Sequence, residues 1–157
     1  MEGLRDKVRT ILSKLKINEA PVAVNRVAEL FSVPIINYSY FPQSISGTIV
    51  KQNDSSIIGV NDNQAMVRQR FTIAHELGHF LLGHDHDTHI DERFDESNQI
   101  ERDANKFAAE LLMPIDFLKN DIKSGITNVP VLAKRYQVSE QAMAVRLLET
   151  SLINEIK

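Results

Sequence analysis

The chain has no cysteine among its 157 residues. Disulfides and thiolate metal ligands are therefore excluded, and the composition is compatible with a reducing compartment. No apolar run approaches the roughly 18 residues that a membrane helix needs, so no span is expected. Met1-Glu2-Gly3-Leu4-Arg5-Asp6-Lys7 leads into no apolar h-region, so no signal peptide is expected. Positive charge is not in excess either. The net charge of −3 excludes a purely electrostatic grip of the whole molecule on nucleic acid. These absences lead to the expectation of a cytoplasmic protein without membrane contact. What is present is ordinary. A hydrophobic content of 43% and a charged content of 25% suit a single domain over 1–157, with a core that needs no covalent staple.

The most informative stretch runs from Arg70 to His84 and contains His75-Glu76-Leu77-Gly78-His79. Phe71, Ala74, Leu77, Gly78, Leu81 and Leu82 recur three or four apart, which predicts a helix with one apolar or small face. Asn61, Asp62 and Asn63 offer N-cap oxygens upstream, and Gly83 offers a C-terminal stop. On such a helix the Cβ atoms of His75 and His79 lie about 5–6 Å apart on one side. Two imidazoles at that separation can converge on one ion through bonds of about 2.0–2.1 Å. Glu76 sits one step around the helix, where it can reach solvent at the ion without being a ligand itself. The plain alternative is a core helix that happens to carry these residues. It would leave three polar groups beside an apolar face without the partners they need.

Elsewhere the chain alternates helices and strands. Leu4, Val8, Ile11, Leu12 and Leu15 make the apolar stripe of a helix over 2–16. Its lysines read as a solvated face, with contact to nucleic acid or anionic lipid as the alternative. Pro21 is expected to open a second helix with Val24, Val27, Ala28 and Phe31 inward, and Pro34 to end it. Strands are predicted at 35–38, 46–51 and 56–60, the last two joined by a turn at 52–55. They should form a small twisted sheet against the metal-site helix, beginning near residue 63. An open edge of that sheet could take an extended peptide as a further strand. The segment His84-Asp85-His86-Asp87-Thr88-His89, followed by Asp91, Glu92, Asp95 and Glu96, keeps no period. It reads as a polar loop, with a second metal site as the alternative.

Two histidines leave a catalytic zinc site one protein ligand short. The next strong helix begins near Asn98 and runs to Pro114, with Ala104, Phe107, Ala108, Leu111 and Leu112 on its inner face. Glu101 falls on that stripe at i, i+3 and i+7, so it is the expected third ligand. Asp103 lies about 200° around the helix and is the runner-up, with Glu110 behind it. The simple alternative for Glu101 is an acid complementing the helix dipole. Asn105, one turn after Glu101, could hydrogen-bond a zinc histidine from behind.

These two stretches, Arg70–His79 and Glu101-Arg102-Asp103-Ala104-Asn105-Lys106-Phe107-Ala108-Ala109-Glu110-Leu111-Leu112-Met113-Pro114, resemble the ImmA/IrrE family of metallo-endopeptidases. Weaker similarity extends over Pro21–Val24, Ser46–Thr48 and Ile58–Asn61. The resemblance implies a zinc site of His75, His79 and Glu101, with Glu76 as the base. It also implies a helix-turn-helix repressor as the substrate or partner, in phage, mobile-element or stress regulation. The fold class expected is α+β and zincin-like: an active-site helix on a small twisted sheet, with additional N- and C-terminal helices.

Residues 115–157 are expected to form two or three short helices with the cadence of a helix-turn-helix, Ser139 capping one of them. Six Lys/Arg against five Asp/Glu make a balance of +1 there, a weak footprint for DNA, so packing or docking of a repressor is expected instead. Tyr136 could donate to an oxyanion, although a packed tyrosine explains it as well. Three functions follow: zinc-dependent peptide hydrolysis, a metal-containing regulatory module that binds a repressor without cutting it, and DNA binding through the C-terminal helices. The cofactor expected is Zn2+, with other divalent ions as alternatives.

Overall fold

Alternation over 35–38, 46–51 and 56–60 is realised as strands, and the computed structural model adds a fourth where no period was legible. Residues 2–84, 88–92 and 98–156 are described. In chain order the elements are α1 (Glu2–Lys14), α2 (Val24–Leu30), β1 (Ile35–Tyr38), β2 (Ile45–Gln52), β3 (Ser55–Asn61), α3 (Met66–Leu81), β4 (Thr88–Glu92), α4 (Gln99–Leu112), α5 (Ile115–Lys123), α6 (Val129–Tyr136), α7 (Glu140–Glu149) and a 3-10 turn (Ile153–Glu155). The architecture is mixed α+β, and no helix among the described residues is long and apolar enough to cross a membrane. The chain forms two compact units. One comprises Ala23–Ala108, the other Met1–Val22 with Ala109–Lys157.

In the Ala23–Ala108 unit the four strands are ordered β1-β3-β2-β4. β1 runs parallel to β3, while β2 pairs antiparallel with both β3 and β4. Ile49 lies opposite Ile58, and Gly47 opposite Val60. These residues share one face by the two-residue period of a strand, and α3 packs on it. At Gly47 the helix comes close to the sheet. A Cβ there would meet Thr72 Cγ2 at 2.5 Å and the Gly59 carbonyl at 2.7 Å. Glycine at 47 is thus the condition for laying α3 on the sheet. Gly78 plays the same part on the other side of α3, where a Cβ would approach Ala104 O at 3.1 Å and Ala104 Cα at 3.2 Å. That close crossing brings the motif face of α3 against the first turns of α4.

Several boundaries differ from the sequence reading. α3 begins at Met66 without a side-chain cap, so Asn61, Asp62 and Asn63 do not cap it. Asn61 instead donates to Ile45 O at 2.9 Å and accepts from Asn63 N at 3.0 Å, while Asp62 accepts from Ser39. Pro21 precedes α2 by three residues, and α2 ends at Leu30, ahead of Pro34. Over 88–92 a strand stands where a loop was expected, because the open edge of β2 supplies backbone partners that need no apolar side chains. The alternative of a second metal site draws on residues 85–87, which lie outside the described residues.

The other unit is helical. Leu4, Val8, Ile11 and Leu12 of α1 are buried, as are Leu118, Leu132, Ala133, Met143 and Leu147. Asn128 caps α6 and Ser139 caps α7, each accepting from the backbone N–H three residues on. Between them Gln137 adopts the left-handed conformation, φ 55°, which ends α6 and turns the chain toward α7. Two of its cations are already engaged. Arg135 donates twice to Asp121, and Arg146 is buried against Glu110. Tyr136 is buried and donates to Asp121 Oδ2 at 2.6 Å, so it is a packed tyrosine rather than an oxyanion donor. Burial, and then that hydrogen bond, push its phenol above the ordinary value.

Glu110 also leaves the list of candidate ligands here. Its Oε1 accepts from Arg5 Nε at 3.1 Å and lies 2.9 Å from Arg146 Nη2, and its Oε2 accepts from Ile115 N at 3.3 Å, at the start of α5. The Arg146 contact is an ion pair rather than a well-aligned hydrogen bond. Arg146 Nε meanwhile donates to Met113 O at 2.9 Å. The carboxylate thus ties α1, α7 and the start of α5 to the end of α4. Glu110→Gln keeps the shape but makes these bonds neutral at the acceptor, and should lower stability in chemical denaturation by about 1–2 kcal/mol. An unchanged midpoint and slope would show that the charge contributes nothing.

Candidate metal centre

His75 and His79 stand one turn apart on α3, both buried. Glu101 enters from the first turn of α4, whose start is set by Asn98: its Oδ1 accepts from Glu101 N at 2.9 Å. Four atoms of three side chains converge. His75 Nε2 is 2.9 Å from Glu101 Oε2, His79 Nε2 is 3.2 Å from Glu101 Oε1, and the two Nε2 atoms are 3.1 Å apart. Asp103, the runner-up, is not in this group. It accepts from Gln99 Nε2 at 2.6 Å on the exposed side of α4.

The back of each imidazole is also engaged. Asn105 Oδ1 lies 2.7 Å from His75 Nδ1. An amide oxygen only accepts, so His75 donates from Nδ1 and a neutral ring keeps its lone pair on Nε2, facing Glu101 and His79. On His79 the partner is His84, Nδ1 to Nδ1 at 2.6 Å. Sequence reasoning placed His84 in a polar loop, with a second metal site as the alternative. The signal for it was available in Gly83, because a glycine stop folds the residue after it back onto the helix end.

Facing lone pairs and a carboxylate need a cation between them. A tetrahedral ion with bonds of about 2.0–2.1 Å holds its ligand atoms about 3.3 Å apart, close to the separations here. These residues therefore fit a divalent ion. Glu76 adds a second sign. It is 0% exposed, and neither carboxylate oxygen has a hydrogen-bond partner among the described residues. A buried, unpartnered carboxylate is costly unless positive charge or a reacting molecule meets it. Arg68 and Arg70, earlier on α3, are partly buried, which lowers both of their pKa values. Arg68 Nε donates to Ser46 Oγ at 3.3 Å.

The family model for the IrrE N-terminal-like domain, a peptidase family, matches residues 23–148. The chain belongs to the ImmA/IrrE family. That family is one of metallopeptidases. Among ImmA/IrrE relatives it is similar to the radiation response metalloprotease IrrE of Deinococcus radiodurans, with 36% identity over 106 residues. That match covers 61% of this chain and 32% of the relative, so the chain spans about a third of the relative's length. Its fold is similar to that of a Mycobacterium tuberculosis transcriptional regulator, with a TM-score of 0.64 at 16% identity, over 94% of this chain and 46% of that one. At such identity the likeness speaks for the fold alone.

Proposed function

We propose that this ImmA/IrrE chain is a zinc-dependent endopeptidase of the zincin type, with His75, His79 and Glu101 as ligands and Glu76 as the catalytic base. One observation carries the reading: the Nε2 atoms of His75 and His79 lie 3.1 Å apart, each within 3.2 Å of a Glu101 carboxylate oxygen, while Glu76, next to His75, is buried without a hydrogen-bond partner among the described residues. Two imidazoles and a carboxylate, with one position left open, are a donor set of catalytic zinc. A zinc ion held there would supply Lewis acidity, polarising the scissile carbonyl and lowering the pKa of water toward neutrality.

The chain's own residues do the rest. Glu76 accepts the proton of the attacking water and delivers it to the amine that leaves, so one carboxylate serves as base and then as acid. Its burial keeps bulk solvent from competing for that proton. Asn105 holds His75 with its Nε2 toward the centre. As the water oxygen bonds to the carbonyl carbon, the C–N bond breaks, and the products together contain one water more than the substrate. The outer strands β1 and β4 are the edges to which an extended peptide can add.

For the substrate we infer a helix-turn-helix repressor in the cytoplasm, supported by family membership. Zinc-loaded protein incubated with the repressor encoded beside it should yield fragment pairs in mass spectrometry whose masses sum to the repressor plus one water. Chelator should stop their formation. An intact repressor under these conditions would rule it out as the substrate.

A further inference from the structure

We propose that His84 is a positioning residue for the metal centre: through its Nδ1 it fixes the tautomer and orientation of His79. The inference rests on the metal-site reading above. It begins with how α3 ends. Gly83 takes φ +69°, Gly83 N donates to Phe80 O at 3.4 Å, and His84 N donates to His79 O at 3.1 Å. This pair of bonds is the Schellman motif. It turns the chain back so that the second residue past the cap lies against the third residue before it. That contact is commonly hydrophobic. Here it joins His84 to His79, with ring centroids 4.9 Å apart, planes inclined by 62° and the two Nδ1 atoms at 2.6 Å.

Two Nδ1 atoms at this distance share one proton, so one of them donates and the other accepts. His79 settles which. Its Nε2 points into the cluster with His75 Nε2 and Glu101 Oε1. To offer a lone pair there, a neutral His79 carries its proton on Nδ1. His79 therefore donates and His84 accepts, which puts the proton of a neutral His84 on Nε2. The two metal imidazoles are then held in the same way, His75 by an amide oxygen and His79 by a ring nitrogen. Such partners orient the ring and raise the basicity of the ligating nitrogen, and their loss costs about 10–100-fold in metal affinity.

Two substitutions separate the acceptor from the bulk of the ring. Asn puts Oδ1 where His has Nδ1, so His84→Asn keeps an acceptor in a smaller side chain. His84→Phe keeps a ring and removes the acceptor. The readout is the zinc dissociation constant, measured with zinc alone against a competing chelator, with thermal unfolding without metal as the control for folding. His84→Phe should bind zinc about 10–100-fold more weakly, and His84→Asn within a few-fold of the parent. A purely packing role predicts the reverse order and would overturn the proposal, as would equal affinities. Should His84→Phe fail to fold, the parent protein decides. Nitrogen-15 NMR of the zinc-loaded chain should show His79 protonated at Nδ1 and His84 protonated at Nε2 only, and a proton on His84 Nδ1 would refute the assignment. If the parent itself binds no zinc, the metal-site reading falls and this inference with it. Tight binding by the parent together with an indifferent His84→Phe sinks the inference alone.

Discussion

Glu76→Gln should bind zinc as tightly as the parent and cleave peptide about 10²–10⁴-fold more slowly, the range that general acid–base catalysis contributes. The amide has the shape of the carboxylate but cannot take a proton from water. Metal retention is expected because the convergent atoms belong to His75, His79 and Glu101, and Glu76 is not among them. A second consequence is measurable without any substrate. Both Glu76 oxygens are buried and have no hydrogen-bond partner among the described residues, so the metal-free parent bears the cost of a buried carboxyl there. Replacing it with a neutral amide should raise the melting temperature of the metal-free protein, a gain in stability where activity is lost. Peptide cleavage by Glu76→Gln at the parental rate would remove the assigned base. The same variant separates cutting from holding. If regulation in cells survives Glu76→Gln but not His79→Ala, the chain works as a metal-containing binding module. If both abolish it, hydrolysis is what the cell uses.

Much of this centre was legible because it sits on a strongly periodic element. The spacing of Phe71, Ala74, Leu77 and Leu81 gave α3, and the stripe through Ala104 and Ala108 pointed Glu101 inward, where the structure brings it to the two histidines. Asn105 was legible by the same turn-counting. What escaped the sequence depends on partners far along the chain. Asn61 looks like a helix cap in isolation, yet the nearby carbonyl of Ile45 claims its side chain, and α3 starts uncapped at Met66. β4 is Thr-His-Ile-Asp-Glu, with no alternation to read, and it is defined by backbone pairing with β2. Glu110 and Asp103 both looked like acids available to a metal. Only the positions of Arg5, Arg146 and Gln99 show that they are already engaged.

Glu101→Gln is the sharper test of the ligand set. In structural zinc sites about 10–16 kcal/mol of apparent binding is shared over four ligands, so loss of one charged ligand should weaken zinc binding by about 10²–10³-fold. The amide oxygen of Gln can still face one histidine, which preserves the packing of α3 against α4 at Gly78 and Ala104. The effect should therefore appear in the zinc dissociation constant and in peptide cleavage at limiting zinc, and not in the unfolding of the metal-free chain. Asp103→Asn is the matched control. It lies two residues away on the same helix, pairs with Gln99 on the exposed side, and should change neither quantity. The comparison also separates ligation from the helix dipole. Glu101 stands in the first turn of α4, where a carboxylate favours the helix by about 0.3–1 kcal/mol, and Asp103 lies beyond it. A dipole role for Glu101 predicts a small loss of stability in Glu101→Gln and unchanged zinc affinity in both variants. Ligation predicts that one variant loses its metal while the other keeps it. Zinc bound by Glu101→Gln at parental affinity would break the proposed site, because no other acid among the described residues completes a group with His75 and His79.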